Sequence, residues 1–384
     1  MNRPFNIPFI DLAAQQERIR SRIDQAIARV LDEGAYIMGP DVSKFEGELV
    51  AFSGAKHVVT CGNGTDALQL ALMAMGVGTG DAVFVPTFTF AATAEVVPLV
   101  GATPVFVDSR SDTFNMDADS LRRAVAEAKR QGLCPRVVIP VDLFGLAADM
   151  PAIEAVAEEF GLDVLCDSAQ GFGSTIDGKM TGTFGRLTTT SFFPAKPLGC
   201  YGDGGALFTD DDELAQLLDS LRVHGKGADK YDNARIGLNS RLDTLQAAIL
   251  SVKLSVYADE IEARNRVAAR YTERLTNLVG LQLIPEGYRS VWAQYTTTLD
   301  SAEQRKAVQA VLGAEGVPSV VYYPNPLHMQ TIYRDYPRDP GGLASAEDMS
   351  QRVLSLPMHP YLEASVQDRV IDVLTSAVTA ARRG

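Results

Sequence analysis

The chain has 384 residues, of which 46% are hydrophobic and 22% charged, an ordinary globular composition that excludes a disordered or low-complexity protein. Its 35 basic and 48 acidic residues give a net charge of −13, which argues against nucleic-acid binding because such binding needs many basic side chains opposite phosphates. Since a usual domain has about 100–200 residues, the length predicts one large unit and a smaller one.

Short β-branched segments alternate with longer helical patterns over the first two thirds of the chain. A helical pattern over residues 18–32, ended by Gly34, precedes them. This alternation predicts an α/β domain with a mostly parallel sheet covered on both faces. The predicted strands are 57–61, 82–86, 104–108, 137–141, 163–167, 187–193 and 206–209. The predicted helices between them are 65–75, 91–100, 120–131, 150–160 and 212–224.

A long helical pattern over residues 242–278 ends the alternation and predicts a connecting helix. The remaining sequence predicts a small C-terminal α+β domain, so we divide the chain into a large domain, 1–250, and a small domain, 251–384. Its predicted strands are 295–299 and 319–323, and its predicted helices are 302–313 and 364–383.

The sequence predicts neither a targeting segment nor a membrane span. Residues 1–11 lack a basic region followed by an apolar one, so we expect no signal peptide. Three prolines and a glycine interrupt the weakly charged stretch between Asp81 and Asp108, which predicts buried core. The four cysteines have no metal-ligand spacing, so we expect no metal site and a reducing, cytoplasmic location.

The first motif with chemical meaning is Gly62-Asn-Gly-Thr-Asp-Ala67, between a predicted strand and a helix. The free N–H groups and the dipole of a helix start favour a bound phosphate. The same letters fit a dinucleotide fingerprint, but that reading needs an acidic residue at the end of the second strand, and Asp81 precedes that strand. A capped helix without a ligand is the remaining alternative.

Two further motifs follow at strand ends. Asp167 ends an apolar strand, where it could pair with a pyridinium nitrogen or only cap the following turn. Lys196 stands in an aromatic, Pro- and Gly-rich stretch, where desolvation would lower the pKa of its amine and favour covalent chemistry with a carbonyl. A surface lysine in a glycine loop is the alternative.

Taken together, these residues resemble the DegT-type sugar-nucleotide aminotransferases, a branch of the fold-type I enzymes that use pyridoxal 5′-phosphate (PLP). The resemblance covers nearly the whole chain and includes segments 8–12, 39–40, 64–68, 86–90, 167–170 and 356–360. It implies a large three-layer domain with a mostly parallel sheet and a small C-terminal α+β domain. It also implies a homodimer with shared active sites.

The resemblance also implies roles for individual residues. Lys196 would bond covalently to PLP and Asp167 would pair with its ring nitrogen, and these two are the predicted catalytic residues. Further cofactor contacts are implied for Gly64, Thr65 and Ser191 at the phosphate, Phe90 on the ring face, Gln170 near the phenolic oxygen and Asn239 across the subunit boundary. The implied substrate-binding residues are Arg241, Tyr322 and His328.

The implied reaction moves an amino group from L-glutamate to a ketone on a nucleotide-linked sugar. Residues 197–205 most resemble enzymes that aminate C3 of UDP-linked 2-acetamido-2-deoxy-3-oxo sugars, the glucuronate especially, for surface polysaccharide or lipopolysaccharide biosynthesis. Tyr322 departs from the many relatives that have His there. The alternatives are another 3-keto sugar such as UDP-3-keto-N-acetylglucosamine, a 4-keto sugar, a PLP-dependent dehydratase, a nicotinamide dehydrogenase and a non-catalytic PLP-binding regulator.

Overall fold

A seven-stranded sheet organises the larger part of the molecule in the computed structural model, which describes residues 7–229 and 231–383. The strands in the described residues are β1 (His57–Cys61), β2 (Asp81–Pro86), β3 (Thr103–Val107), β4 (Cys134–Val138), β5 (Asp163–Asp167), β6 (Thr175–Ile176), β7 (Lys179–Met180), β8 (Leu187–Ser191), β9 (Gly205–Thr209), β10 (Gly280–Leu281), β11 (Tyr288–Arg289), β12 (Tyr295–Thr298) and β13 (Val353–Leu356).

Helices cover this sheet and connect its strands. The α-helices in the described residues are α1 (Leu12–Glu33), α2 (Pro40–Ser53), α3 (Gly64–Ala74), α4 (Ala92–Leu99), α5 (Ala118–Arg130), α6 (Met150–Phe160), α7 (Asp212–Leu221), α8 (Thr244–Leu275), α9 (Ala302–Ala314), α10 (Ala344–Arg352) and α11 (Ala364–Ala381).

The large sheet has the strand order β1-β9-β8-β5-β4-β2-β3. Only β9 runs antiparallel to its neighbours, β1 and β8, within this sheet. The prediction of a mostly parallel α/β sheet is therefore confirmed. Because their directions agree, β2, β5 and β8 end at the same edge, where open sheets of this kind place ligands.

Two smaller antiparallel sheets accompany the large one. The first has the order β10-β12-β13 and packs in one core with α9 and α11. The second has the order β11-β6-β7. The long helix α8 links the two cores, since Leu250 and Tyr257 pack with the large sheet's side chains while Tyr271 and Leu275 pack with those of the small domain.

The division at 250/251, which lies inside α8, stays a prediction, and its outer bounds, residues 1 and 384, lie outside the described residues. Residues 1–6, most of the segment in which we expect no signal peptide, also lie outside the described residues.

The predicted strand 319–323 is wrong. Only Val320 pairs there, through two hydrogen bonds with Ser355 of β13, a strand that the patterns did not predict. The side chains of Tyr322 and Tyr323 instead join an aromatic cluster beside the sheet edge.

β4 also begins three residues earlier than predicted and ends at Val138, shortly before Pro140, which has no N–H for a ladder.

Asp108 joins the large sheet to the small domain at the end of β3. Its carboxylate accepts hydrogen bonds from the backbone N–H groups of Ser345 (3.0 Å) and Ala346 (2.9 Å) in the first turn of α10. The N-cap residue of that helix, Leu343, has no side-chain acceptor. Asp108 therefore satisfies N–H groups that a helix start otherwise leaves free.

We predict that Asp108→Ala lowers the free energy of unfolding by about 1–3 kcal/mol, because it leaves buried N–H groups without an acceptor. Urea unfolding of the purified protein measures this change. The exposed Asp32 in α1 supplies the control, since Asp32→Ala should change the free energy by less than about 0.5 kcal/mol. Equal effects of the two variants would contradict the assigned role.

Candidate active site

The predicted site residues converge at the edge where β2, β5 and β8 end. Asp167 is the last residue of β5 and Ser191 the last of β8, while Phe90 follows β2. Gly64 begins α3 directly after β1 and its turn. Strand order therefore brings together residues that lie more than 120 positions apart in sequence.

Asp167 is a buried carboxylate held in a defined orientation. Only 5% of the residue is exposed, Thr93 Oγ1 donates to its Oδ2 (2.8 Å) and Ala169 N donates to its Oδ1 (3.2 Å). Burial raises the pKa of Asp167, whereas both hydrogen bonds and the nearby Lys196 amine oppose this rise. A cationic partner would stabilise such a carboxylate in its charged form.

Thr93 and Asp142 support this strand end, and the sequence analysis missed both. Asp142 accepts from Ser168 Oγ (2.6 Å) and from Ala148 N (2.9 Å), and burial raises its pKa to about 7. Thr93 lies in the first turn of α4. A hydroxyl near the start of the helix after β2 was a signal for Thr93, but the partner on β5 is visible only in three dimensions.

Gln170 is fixed by two neighbours from different parts of the chain. Its Oε1 accepts from Phe144 N (2.9 Å), and its Nε2 donates to the Tyr323 hydroxyl (3.1 Å). Because an amide nitrogen carries two hydrogens, one donor remains for another group. This arrangement is compatible with the predicted contact to an oxygen on the cofactor ring.

Lys196 is partly buried in the turn that follows β8. Its backbone N–H donates to Phe193 O (2.8 Å), and the chain turns back so that Cys200 N donates to Phe192 O (2.8 Å). Burial lowers the pKa of the amine, while the carboxylate of Asp167 opposes this change. A lower pKa favours the unprotonated amine, which is the form that attacks a carbonyl carbon.

The start of α3 and the end of β8 form a close cradle. A Cβ added to Gly64 would lie 2.6 Å from Ser191 Cβ and 3.0 Å from Ser191 Oγ, so only glycine allows this approach. Thr65 follows in the first turn, and Asn63 caps the helix by accepting from Asp66 N (2.8 Å). The N–H groups of the first turn and two hydroxyls suit a phosphate dianion.

These residues fit PLP chemically. The cradle would take the phosphate, Asp167 would face the ring nitrogen and Lys196 would provide the amine for the aldehyde. Phe90 is 55% exposed at this edge, so its ring face is available for stacking. The dinucleotide alternative fits less well, because Asp81 begins β2, at the opposite end of the strand from this edge, and accepts from Gly78 N (2.9 Å).

Asn239 and Arg241 lie on a surface segment. The Asn239 side chain is exposed and accepts a hydrogen bond from the Arg241 guanidinium. Arg241 makes no ion pair with a carboxylate of the described residues, Asp243 included, so its charge is open to another partner. Nearby, Ser240 Oγ accepts from Gly62 N (2.9 Å), which ties this segment to the phosphate cradle.

Tyr322 and His328 occupy different environments. Tyr322 is half-buried, its ring lies 6.3 Å from that of Phe9, and burial raises its pKa, so it remains a neutral donor. His328 is 3% exposed, with Nδ1 bonded to Thr87 Oγ1 (2.7 Å) and Nε2 to Glu347 (3.1 Å). Both ring nitrogens of His328 are engaged, so its contact with substrate stays a prediction, and in this structure it positions its own loop.

Other kinds of site receive no support from the described residues. Within residues 7–229 and 231–383, no three His, Cys, Asp or Glu side chains are grouped as metal ligands. In the same part of the chain, no helix combines the length and apolar character that crossing a bilayer requires. The four cysteines are free thiols, three buried and Cys134 exposed.

Comparison with known proteins identifies the relatives of this chain. The model of the DegT/DnrJ/EryC1/StrS aminotransferase family matches residues 17–375. A Pseudomonas aeruginosa UDP-2-acetamido-2-deoxy-3-oxo-D-glucuronate aminotransferase is 46% identical over 97% of this chain and 99% of its own. An Acidithiobacillus ferrooxidans UDP-N-acetyl-3-dehydro-α-D-glucosamine 3-aminotransferase is 42% identical over 96% and 97%. A Geobacillus stearothermophilus pleiotropic regulatory protein is 43% identical over 96% and 97%.

Solved structures show the same fold. A Brucella abortus DegT/DnrJ/EryC1/StrS aminotransferase superimposes with a TM-score of 0.94 at 54% identity, covering 96% of this chain and 99% of that one. A Bacillus subtilis protein, ntda, solved with bound cofactor PMP (pyridoxamine phosphate), superimposes with a TM-score of 0.88 at 29% identity, covering 98% and 86%. These matches extend over both the large sheet and the C-terminal elements.

We predict that Gly64→Ala weakens PLP binding about 10- to 100-fold, because the added Cβ collides with Ser191 and displaces a phosphate donor. Titration of the cofactor-free protein with PLP, followed by visible absorbance, gives the dissociation constant. Gly47→Ala is the matched control, since a Cβ there has no neighbour within 4 Å. Unchanged PLP affinity in Gly64→Ala would remove the cradle from the phosphate site.

Proposed function

Because the chain belongs to the DegT/DnrJ/EryC1/StrS aminotransferase family, we propose that it transfers an amino group from L-glutamate to the C3 ketone of a UDP-linked 2-acetamido-2-deoxy-3-oxo sugar, with the glucuronate favoured. That it is a PLP-dependent sugar-nucleotide aminotransferase follows from the family and from its relatives. The amino donor, the sugar and the carbon that is aminated are the proposed parts. So is its place in surface polysaccharide or lipopolysaccharide biosynthesis.

The observation that carries the catalytic part of the proposal is that a buried carboxylate and a partly buried amine lie at the same sheet edge and influence each other's pKa. Asp167 would hold the ring nitrogen in its protonated form, which strengthens the ring as an electron acceptor. PLP, when bound, takes up the electron pair left on the carbon that loses its proton. Lys196 would carry that proton away from the donor's α-carbon and return it on the cofactor side.

The sugar is proposed from relatives and from local sequence. Two curated relatives that cover at least 96% of this chain act, by name, on UDP sugars with a ketone at C3. Residues 197–205, directly after Lys196, have the form expected for C3 amination. Arg241, which has no carboxylate partner among the described residues, would pair with the C6 carboxylate or with the diphosphate.

The alternatives differ in what they require of the site. A dehydratase of this family would carry His in place of Lys196, and a nicotinamide dehydrogenase is not a member of the family. A non-catalytic regulator keeps one specific observation in its favour, the 43% identity to a protein named as a pleiotropic regulator. The retained Lys196 and Asp167 favour turnover, since a regulator has no need of an acid–base lysine.

We also propose a homodimer with shared sites, located in the cytoplasm. The exposed apolar residues Tyr36, Ile37 and Met38 lie beside Thr244, whose N–H donates to Tyr36 O (3.0 Å). They adjoin the segment with Asn239 and Arg241, and such an exposed apolar patch is typical of an interface. The four free thiols agree with a reducing compartment.

Substrate preference tests the sugar. We expect the enzyme, run in reverse with 2-oxoglutarate, to prefer UDP sugars aminated at C3 over those aminated at C4. We also expect kcat/KM to be about 10- to 100-fold higher when the sugar has a C6 carboxylate, the effect of one charge-assisted pair. In Arg241→Gln this advantage should disappear, while kcat/KM for the uncharged sugar changes much less.

Three results would change the proposal. Preference for a C4-amino sugar would overturn the carbon assignment. Equal kcat/KM with and without the carboxylate would replace the glucuronate by UDP-3-keto-N-acetylglucosamine as substrate. Absence of turnover with every sugar and donor, combined with tight PLP binding, would favour the regulator.

Mixed dimers test the shared site. We expect an Asn239→Ala, Arg241→Ala protein and a Lys196→Ala protein each to be inactive alone. If Asn239 and Arg241 serve the neighbouring lysine, half of the randomly mixed dimers are heterodimers and one of their two sites is intact, so the mixture should recover about a quarter of wild-type activity. A mixture as inactive as its components would mean that each site belongs to one chain.

A further inference from the structure

A small cavity lies beside Lys196, and the active site described above assigns it no role. It is lined by the start of α1, the turn with Lys196, the residue Arg264 of α8 and the segment after β13. Its volume of about 10 Å³ is close to the space of one water molecule. The side chains with polar atoms that line it are Asp11, Gln15, Lys196, Arg264 and His359.

His359 is the most unusual of these residues. It is 2% exposed, and neither Nδ1 nor Nε2 has a hydrogen-bond partner in the part of the chain that the structure describes. Burial lowers its pKa to about 4, and the charge of Arg264 acts in the same direction while Asp11 opposes it. The ring is therefore neutral near pH 7, with one nitrogen as donor and the other as acceptor.

Arg264 contributes a second buried group without a partner. It is 5% exposed, Nη1 donates to Trp292 O (3.1 Å), and Nε has no acceptor among the described residues. In that same part of the chain no carboxylate forms an ion pair with it. Buried polar atoms are normally satisfied by protein or by ordered water, so three orphan nitrogens on residues that line one small cavity point to a shared ligand.

We propose that this cavity binds one water molecule that links His359 and Arg264 to Lys196, and that His359 is a positioning residue for the lysine. A neutral imidazole can both accept from such a water and donate to it, and the guanidinium supplies another donor. A volume of about 10 Å³ suits one water molecule better than a carboxylate or a phosphate, which are larger. The proposal rests on the acid–base role of Lys196 in the proposed function.

The surrounding charges make this site more than a packing defect. In addition to Lys196, the charged residues that line the cavity with His359 are Asp11 and Arg264. Asp11 Oδ1 already accepts a hydrogen bond from Ala14 N (2.9 Å). Glu260, which does not line the cavity, accepts hydrogen bonds from Gln15 (2.9 Å) and Tyr361. A water held by these fixed groups gives the lysine a defined hydrogen-bond partner when it moves a proton.

Two variants of the holoenzyme test the link. His359→Phe keeps an aromatic ring, although a larger one, and removes both nitrogens, whereas His359→Gln keeps a donor and an acceptor. The visible absorbance of lysine-bound PLP changes with pH. We expect His359→Phe to move the midpoint of this change by about half a pH unit or more. We also expect it to lower kcat of the glutamate half-reaction about tenfold with little change in KM, and His359→Gln to recover part of both.

Leu362→Ala is the control for packing. Leu362 is 8% exposed and belongs to the core of the small domain. Its N–H donates to His359 O (3.3 Å), and it does not line the cavity. Its variant should lose stability without moving the absorbance titration. An unshifted titration in His359→Phe, or an equal shift in Leu362→Ala, would overturn the proposal.

A high-resolution crystal structure of the holoenzyme provides a second, direct measurement, which decides the question even if His359→Phe does not fold. A water within about 3.2 Å of a His359 nitrogen and in contact with Lys196 supports the proposal, and a dry cavity overturns it. These readouts do not depend on which sugar is aminated. If the proposed role of the lysine itself is wrong, Lys196→Ala will keep the absorbance of the lysine-bound cofactor, so the two failures are distinguishable.

Discussion

The burial of the Asp167 carboxylate is the constraint on which the rest of the site depends. A charge removed from water is costly unless hydrogen bonds and a cation compensate it. Thr93 and Ala169 supply two hydrogen bonds, but neither carries a charge. The end of β5 therefore suits a cationic partner, and the protonated ring nitrogen proposed for this position would be such a partner.

The same environment acts on Lys196 in the opposite sense. Burial disfavours the charged form of both groups, so it raises the pKa of the acid and lowers that of the amine, whereas their mutual attraction opposes both shifts. A lowered pKa makes the amine easier to deprotonate, and the unprotonated amine is the form that can attack a carbonyl and later carry a proton. The parallel sheet accounts for this balance, because neighbouring strands must end at one edge and bring the two groups together.

The sequence predicted the sheet and most of this edge because those signals are local. The apolar run that ends in Asp167, the β-branched run that contains Ser191 and the glycines before α3 can each be recognised within one short segment. Thr93 and Asp142 were missed since their partners lie on other elements, and the orphan nitrogens of His359 cannot be recognised from one segment. The strand predicted at 319–323 failed for the same reason, because β-branched residues there indicated a ladder while the tertiary structure uses the two tyrosines in an aromatic cluster.

The structure separates the groups expected to do chemistry from those expected to select the substrate. Asp167, Ser191 and Lys196 stand at or just after the ends of central strands, whose positions the large core holds. Arg241 and Tyr322 lie on a surface segment and on a loop of the small domain, where a substitution has little effect on the sheet. A change such as Tyr at position 322 in place of His can therefore alter recognition of the sugar while the acid–base pair keeps its geometry. This division explains physically how one scaffold can serve relatives named for several different sugars.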